Sequence, residues 1–436
     1  WRSRGCAGEG PRIGLCRCPD CQRDLIAKAR DQVSVAGITI LHPKFVLHAA
    51  CAMMAVAVPC MVAAQPGPSA SSPSTPIDVM PPVSAPIALL VDAGSGRVLY
   101  EREARRRFVP ASLTKIMTSY VAFDLLEKGA LRLDQRIPID APTFRDWHRV
   151  GSTMFLPADA RPTVAELIEG IVTVSANDAC VVLAKGAAGS VEAFTGIMNA
   201  AAYRIGMRDS HFNTPNGWMD EGQTYVTAAD LAVLSTALMT RFPKLYRQFY
   251  GHSTLTWNGI TQNNHNPLYG HVEGADGVKT GFTNEAGYGV VGSAERNGRR
   301  LVMVLGGYDQ ANVRAAEARA LMEWGFAAWE SSPLFAKEAH VGSARVQGGQ
   351  SRSVTLVAPR ALSVTFPRGQ APSYALSVQY KGPLHAPIAK GDEVAQLQVR
   401  VSGGAAYRMP LVAGQSVPAG NAMSRLRDGV YGMLGL

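Results

Sequence analysis

The sequence predicts an α+β fold: an antiparallel sheet flanked by helices, with a helical subdomain, followed by a small sandwich-like all-β domain. Apolar side chains recur at helical spacing over residues 113–128 and over much of 140–240. After Gly277 they alternate with a period of two, which is typical of strands. From about position 336, short alternating runs recur between Gly and Pro turns, which indicates the separate β domain.

A β-hairpin is the first predicted element. Residues 87–91 form a buried strand, 92–96 a turn of small residues, and 97–101 the returning strand. A helix over 113–128 follows, with Ser112 at its start. Because its apolar residues cover most faces, we expect this helix to be buried.

Helices and then strands complete the larger domain, which is predicted over 86–332. The clearest helices are Thr163–Val174 and Asp178–Ala188. The predicted strands are 278–283, 288–295 and 300–306. A tight Asn297-Gly298 turn joins the last two, so they should be antiparallel neighbours. A helix from about Gln310 to Trp329 closes the domain.

The C-terminal β domain is predicted over 336–418, with strands such as Ser353–Val357 and Ala395–Val401. It contains no cluster of Ser, His, Lys or carboxylates suited to catalysis. The tail 421–436 places four apolar residues on one helical face and could lie on a membrane surface. Its three glycines weaken such a helix, so a disordered tail or one docked on the core stays open.

An export signal precedes the folded part. Lys44 comes before an apolar run that ends in small residues, with cleavage expected after Ala64. We therefore expect 43–64 to be a signal peptide and the chain to be exported. Pro59 within this run, and the lack of a positive charge directly after it, argue against a permanent membrane anchor. Pro59 also argues against a lipoprotein modified at Cys60.

The segments before and after the signal are not expected to contribute to a hydrophobic core. We expect residues 1–42 to be an upstream extension outside the mature protein, although three of its cysteines look like a fragment of a zinc knuckle. Residues 65–85 are rich in Pro and Ser and predict an extended linker. If cleavage follows the signal, Cys180 is the one remaining cysteine and no internal disulfide can form.

Composition excludes several classes of protein. A chain of 436 residues with 47 % hydrophobic and 18 % charged residues is ordinary for a globular protein, not for a disordered chain or a coiled coil. The formal net charge of +9 is scattered, and Arg105–Arg107 is its strongest cluster. We read this cluster as a solvated surface run and expect no nucleic-acid partner.

The first of three short motifs is Ser112-Leu113-Thr114-Lys115. Ser and Lys three positions apart on a helix share a face, so the ammonium can reach the hydroxyl. A lysine can act as a base when burial lowers its pKa, and this helix has apolar surroundings. Alone, the pattern is usually an ordinary helix start.

The second and third motifs are Ser175-Ala176-Asn177 and Lys279-Thr280-Gly281. A hydroxyl and a carboxamide two residues apart can point the same way from a turn, although such a motif alone is usually a loop or cap. Lys279 can present a cation to a free peptide carboxylate, and Gly281 lets a substrate backbone lie against the strand edge. The joint occurrence of the three motifs, whose leading residues are separated by 63 and 104 positions, carries the argument.

With these three motifs the sequence resembles the penicillin-recognising serine enzymes, for which this motif set is a known signature. Four segments are similar to the low-molecular-mass penicillin-binding proteins, the serine-type D-Ala-D-Ala carboxypeptidases of the peptidase S11 family. These segments are Val109–Met117, Ser175–Cys180, Thr214–Gly217 and Asp276–Thr283. The resemblance covers about residues 85–425 and implies a β-lactamase/DD-peptidase-like fold. One departure is Ala176, where the family more often has Gly.

The resemblance implies a catalytic role for three residues. Ser112 would attack the carbonyl between two terminal D-alanines, Lys115 would take its proton as general base, and Ser175 would pass a proton to the leaving group. The backbone N–H groups of Ser112 and Phe282 would hold the oxyanion. Water would then release the acyl-enzyme.

The resemblance also implies the substrate and its contacts. Asn177 would hold the substrate amide, Thr280 would help Lys279 orient the terminal carboxylate, and Gly281 and Phe282 would complete the binding strand. The expected partners are peptidoglycan stem peptides ending in D-Ala-D-Ala, with β-lactams as covalent inhibitors of cell-wall remodelling. We expect no metal or other cofactor, and a location on the periplasmic side of the cytoplasmic membrane.

Alternative functions remain open. A class A β-lactamase shares the motif spacing, but here no Asp stands between Ser175 and Asn177 and no Glu-x-x-Leu-Asn segment follows. A DD-endopeptidase that cuts cross-links would use the same residues, and a β-lactam sensor would be acylated without turnover. A zinc peptidase is disfavoured because the nine histidines form no His-Glu-x-x-His pair, and His252, His265 and His271 are expected to be surface or loop residues.

Overall fold

A computed structural model describes residues 80, 83–370, 373–401 and 406–421. The predicted upstream extension, signal peptide, most of the linker and the tail beyond Asn421 lie outside the described residues. The strands are β1 Ile87–Asp92, β2 Val98–Arg102, β3 Thr254–Trp257, β4 Ile260–Asn263, β5 Ala275–Thr283, β6 Gly287–Arg296, β7 Arg299–Tyr308, β8 Trp329–Phe335, β9 His340–Gln347, β10 Ser353–Val357, β11 Leu362–Pro367, β12 Tyr374–Gln379, β13 Leu384–His385, β14 Glu393–Val401 and β15 Tyr407–Ala413. The helices are α1 Lys115–Glu127, α2 Ala141–Trp147, α3 Val164–Thr173, α4 Asn177–Ala188, α5 Val191–Ile205, α6 Ala228–Arg241, α7 Pro243–Phe249 and α8 Ala311–Ala328.

The central sheet has five antiparallel strands in the order β2-β1-β7-β6-β5. Asn297 and Gly298 both have positive φ, 50° and 74°, and connect β6 to β7 as the sequence predicts. The three long strands extend two or three residues beyond the predicted bounds because ladder pairing continues past the apolar core. Strand β5 lies at one edge of the sheet, where it faces the start of α1.

Helix α1 runs through the centre of the larger domain and is buried on most faces. Phe123 on this helix lies with its ring 5.9 Å from those of Phe242 and Phe249. Helix α3 begins at a capping box in which Thr163 and Glu166 exchange hydrogen bonds. The helical subdomain and the sheet therefore share one apolar core around α1.

The C-terminal part is a second, all-β unit. Its six-stranded sheet has the order β12-β14-β15-β10-β9-β13, and β8 pairs with β11 in a second sheet. Both sheets contribute to one apolar core, so the α+β fold with a sandwich-like β domain is confirmed. The domain end predicted at 332 falls within β8, whose pairing with β11 runs from Trp329 to Phe335, and the domain start predicted at 336 lies one residue after this strand.

No single helix in the described ranges is both long and apolar enough to span a membrane. Helices α4 and α5 are long and apolar enough only when taken together, and the chain bends by 87° between them. In the same ranges no three His, Cys, Asp or Glu side chains are grouped so that they could hold a metal ion. Cys180 on α4 is buried and free.

Candidate active site

Ser112 lies in a 3₁₀ turn, Ala111–Thr114, directly before α1. The apolar pattern predicts a continuous α-helix here, but Ala111 has a positive φ of 47° and the first turn is tighter. Lys115 is the first residue of α1, and its Nζ lies 2.7 Å from Ser112 Oγ. The first motif therefore places an amine in hydrogen-bond contact with a hydroxyl.

The Lys115 ammonium is fully buried and held by two further acceptors. It donates to Asn177 Oδ1 at 2.8 Å and to the backbone carbonyl of Asn216 at 2.7 Å. Burial lowers the Lys115 pKa to about 8, although Cys180 and Asp178 act in the opposite direction. The neutral amine of Lys115 is therefore much more accessible near neutral pH than that of an ordinary lysine.

The second motif joins α3 to α4. Ser175 has a positive φ of 64°, a conformation that a packed loop must enforce on a non-glycine residue. Asn177 begins α4, and its Nδ2 donates to the Val150 carbonyl at 3.0 Å. This bond fixes the orientation of the carboxamide, so that Oδ1 faces Lys115.

The third motif lies on β5. Lys279 is buried, and its Nζ donates to the Thr280 carbonyl at 3.0 Å. Burial, together with the positive charges of Lys115 and Arg314, lowers the Lys279 pKa to about 7. A Cβ on Gly281 would lie 2.8 Å from the Pro110 carbonyl oxygen. The missing side chain at Gly281 therefore lets β5 approach the turn that carries Ser112.

One cavity of about 530 Å³ opens between these elements. Its lining includes six of the eight predicted site residues: Ser112, Ser175, Asn177, Thr280, Gly281 and Phe282. The remaining two, Lys115 and Lys279, lie behind this lining, where both ammonium groups are buried. The structure thus brings the three motifs to one site.

Arg314, on α8, is a cavity residue that the sequence analysis did not identify. Its guanidinium donates to the Gly289 carbonyl at 3.4 Å, and its Nε is buried without a hydrogen-bond partner among the described residues. Burial lowers its pKa from the usual value for arginine. An arginine nevertheless stays charged in proteins, so Arg314 presents a cation to the cavity.

His265 also lines the cavity. It is a loop residue, as expected, but the sequence analysis gave it no place in the site. Burial lowers its pKa, and the positive charges of Lys279 and Arg314 act in the same direction. A neutral imidazole at this position leaves the positive charge of the cavity to Arg314 and Lys279.

A turn formed by Thr214–Gly217 supports the nucleophile from behind. Gly217 has a φ of 70°, and a Cβ there would lie 1.8 Å from the Ala111 carbonyl oxygen. The Asn216 carbonyl accepts from Lys115, and Thr118 Oγ1 donates to the Pro215 carbonyl. The sequence analysis named Thr214–Gly217 among the segments similar to the family but assigned it no function. In the structure this segment contacts both the Ser112 turn and the Lys115 amine.

Together these groups suit acyl transfer to a serine. A buried amine contacts the hydroxyl, a strand edge lies beside it, and a cation with N–H donors is present for an anionic group.

Comparisons with known proteins agree with this chemistry. The family described as D-alanyl-D-alanine carboxypeptidase matches residues 72–309, and the penicillin-binding protein 5 C-terminal domain matches 329–419. D-alanyl-D-alanine carboxypeptidase DacA of Escherichia coli K12 is 35 % identical over 359 residues, 81 % of this chain and 89 % of that protein.

Two solved structures extend the comparison. Penicillin-binding protein 5 from Haemophilus influenzae is 31 % identical, with a TM-score of 0.65 over 78 % of this chain and 99 % of that chain. Penicillin-binding protein D2 from Listeria monocytogenes, in its ampicillin-bound form, is 30 % identical, with a TM-score of 0.51 over 56 % of this chain and 98 % of that one.

Proposed function

The chain belongs to the D-alanyl-D-alanine carboxypeptidase family, and we propose that it releases the terminal D-alanine of peptidoglycan stem peptides through an acyl-enzyme on Ser112. The observation that carries this assignment of the nucleophile is the 2.7 Å contact between Lys115 Nζ and Ser112 Oγ inside a buried pocket. Members of this family bind D-Ala-D-Ala peptides and β-lactams.

Lys115 acts as the base because its contacts with Asn177, Asn216 and Ser112 set the direction of the lone pair on its neutral amine. Asn177 Oδ1 and the Asn216 carbonyl can only accept, so they take the two N–H bonds of the neutral amine. The lone pair then faces the Ser112 hydroxyl. With a pKa of about 8, about one tenth of Lys115 is neutral at pH 7.

Acylation then proceeds in a balanced sequence. Ser112 Oγ forms a bond to the carbonyl carbon of the penultimate D-alanine while its proton moves to Lys115. The C–N bond breaks, and the departing amine of the terminal D-alanine takes the proton from Lys115 through Ser175, which leaves Lys115 neutral for the next step. The backbone N–H groups of Ser112 and Phe282 stabilise the negative oxygen between these steps.

Deacylation uses the same groups in reverse. A water molecule gives a proton to Lys115 as it attacks the ester, and Ser112 recovers its proton as the shortened peptide leaves. A β-lactam follows the same first step, because Ser112 opens the lactam amide. The acyl-enzyme then persists because the amine stays attached to the inhibitor.

The terminal carboxylate is bound by Thr280 and Arg314, with Lys279 behind them. Arg314 and Thr280 line the cavity, and the Arg314 guanidinium supplies a positive charge and N–H donors for an anion. The Lys279 ammonium is buried behind the cavity wall, so it attracts the carboxylate by its charge and not by direct contact. A carboxylate in the cavity would favour protonated Lys279 and raise its pKa above the value of about 7.

The test is D-alanine release from a pentapeptide ending in D-Ala-D-Ala, with Ser112→Ala alongside and a cross-linked muropeptide as a second substrate. Release that disappears in the variant supports the proposal. Cleavage of the cross-link alone would replace it with a DD-endopeptidase. Covalent β-lactam binding with neither activity would replace it with a sensor.

We further propose that the enzyme works in the cell envelope, on the periplasmic side of the cytoplasmic membrane. The signal-like segment 43–64 and a substrate located outside that membrane support this proposal. The tail 421–436 would then hold the enzyme near the membrane surface. Fractionation of cells that produce the full chain tests both points: recovery in the cytosol would contradict export, and recovery free of membrane would contradict a role for the tail.

A further inference from the structure

Strand β5 contains a β-bulge a few residues before Lys279. Its pairing with β6 shifts between Ala275 and Gly277, so that Asp276 is an extra residue on β5 relative to β6. A bulge bends its strand and changes the direction of the side chains near it, and bulges are common beside active sites. The conformation at Asp276 therefore affects where β5 places Lys279.

Two side chains hold the bulge at Asp276. Tyr246 Oη, on α7, donates to the Asp276 carbonyl at 3.2 Å and to Asp276 Oδ1 at 3.4 Å. The Arg300 guanidinium, on β7, donates to the same Oδ1 at 2.8 Å. Because an extra residue interrupts the regular ladder of the strand, these side chains supply hydrogen bonds that strand pairing would otherwise supply.

Tyr246 fits closely against this part of β5. It is 3 % exposed, and a Cβ on Gly277 would lie 2.0 Å from its hydroxyl oxygen. Burial raises the pKa of Tyr246, so the phenol keeps its proton and acts as a donor. Asn266 Nδ2 donates to the Gly277 carbonyl at 2.8 Å. Asp276 and Gly277 thus each accept a hydrogen bond from a side chain outside the central sheet.

The residues that hold the bulge lie away from the cavity. Among the residues that the structure describes, the cavity lining includes Thr280 and Gly281 of β5 but neither Tyr246 nor Arg300. Lys279 lies between the bulge and these two lining residues on the same strand. Any effect of Tyr246 on the reaction is therefore transmitted through β5 and does not depend on contact with a ligand.

We propose that Tyr246 is a positioning residue for Lys279. Its hydroxyl, together with the Arg300 guanidinium, fixes the bulge at Asp276, and the bulge sets the position from which the Lys279 ammonium attracts an anion into the cavity. This inference rests on the proposed function, in which Lys279 attracts a carboxylate by its charge. It adds to that function a residue that does not line the cavity.

Acylation by a fluorescent β-lactam that carries a carboxylate tests this role. The concentration dependence of the rate gives the dissociation constant K of the first complex and the acylation rate constant separately. Tyr246→Phe removes the hydroxyl but keeps the ring, which stacks on Tyr250 with 4.6 Å between centroids. K should rise about fivefold, because the loss of one buried hydrogen bond lets β5 populate positions in which Lys279 is displaced. The acylation rate constant should stay within about twofold, because Ser112 and Lys115 lie on another element.

Tyr250→Phe is the matched control. Tyr250 is 5 % exposed, and its hydroxyl lies 2.6 Å from Ser119 Oγ on α1. This variant also loses one buried phenol hydroxyl, so it should lose similar stability in thermal unfolding but keep K within about twofold. Asp276→Ala is a second test, because it removes the Oδ1 acceptor that Tyr246 and Arg300 share. It should raise K at least as much as Tyr246→Phe does.

A double-mutant cycle shows whether Tyr246 acts through Lys279. Lys279→Gln removes the charge, so adding Tyr246→Phe to it should change K by less than about twofold. A fivefold rise that persists without Lys279 would overturn the inference, because it would indicate a structural role only. Equal K values in Tyr246→Phe and Tyr250→Phe would also overturn it, while the proposed function stands. If the wild-type protein forms no acyl-enzyme, the proposed function fails and this inference fails with it.

Discussion

Adding one methyl group at Gly217 tests how tightly the turn behind the nucleophile is fixed. A Cβ there would lie 1.8 Å from the Ala111 carbonyl oxygen, whereas ordinary contact begins near 3.4 Å. The two segments must therefore separate by about 1.6 Å, which is the difference between these distances. The Ala111 carbonyl is backbone of the residue before Ser112, so the movement displaces the nucleophile itself.

The expected result of Gly217→Ala is a fall of about 100-fold in kcat/KM, since displacement of a reacting group by about 1 Å costs that much. Gly217 also has positive φ, and alanine in that conformation costs about 1–2 kcal/mol of stability. The matched control is Gly189→Ala at the end of α4. Gly189 has a φ of 82°, and no atom lies within 4 Å of the position that its Cβ would take. Gly189→Ala therefore measures the stability lost to backbone strain without a steric clash.

The assays are D-alanine release, the rate of covalent labelling by a fluorescent β-lactam, and thermal unfolding. Both glycine variants should lose stability from backbone strain, and Gly217→Ala should lose more because its Cβ also clashes with the Ala111 carbonyl. Only Gly217→Ala should lose labelling rate. Activity of Gly217→Ala within about threefold of Gly189→Ala would refute the claim that this turn positions Ser112.

Three other perturbations follow from the same geometry. The kcat/KM of the wild-type enzyme should rise about tenfold per pH unit below pH 7, because neutral Lys115 is the base and its pKa is about 8. It should pass through a maximum between pH 7 and 8 and then fall, because Lys279, whose pKa is about 7, loses the charge that attracts the substrate carboxylate. A rise that continues through pH 10 would contradict both shifts. Arg314→Gln should lower kcat/KM about 50-fold on substrates with a free carboxylate, because a charged hydrogen bond is lost; an equal loss on the C-terminal amide would contradict carboxylate binding. Phe123→Ala should lower the free energy of unfolding by about 3–5 kcal/mol, because its ring is fully buried; denaturant unfolding with a loss below 1 kcal/mol would contradict the packing of α1.

The motif side chains could be predicted from the sequence because each motif is short and local. Ser112 and Lys115 are one helical turn apart, and Ser175 and Asn177 flank a single residue. Their relation depends on helix geometry or on a tight loop, which residue spacing specifies well. The meeting of the three motifs, in contrast, was inferred from the family resemblance.

Arg314 and the Asn216 carbonyl could not be predicted in the same way. A backbone carbonyl is present at every residue, so its role as acceptor for Lys115 depends on where the chain places it. Arg314 reaches the cavity because α8 packs against β6 and β7. Nothing in the local sequence around Arg314 distinguishes it from Arg319, the other arginine of the same helix, which does not line the cavity.

The conformation of the Ser112 turn also depends on tertiary packing. An apolar pattern cannot indicate that Ala111 takes a positive φ, because that strained conformation is maintained by Gly217 and Gly281 on either side. The start of the β domain is similar. Strand β8 continues directly from α8, and its assignment to the second unit depends on its pairing with β11.

The most direct test of the account is to locate the covalent adduct formed by a β-lactam. Mass spectrometry of a tryptic digest should show the added mass on the peptide Phe108–Lys115, with fragmentation assigning it to Ser112. Lys115→Met should still fold but form this adduct at least about 100-fold more slowly, because the base is absent. An adduct on Thr114 or Ser175, or unchanged labelling in Lys115→Met, would contradict the assignment of Ser112 as a nucleophile activated by Lys115.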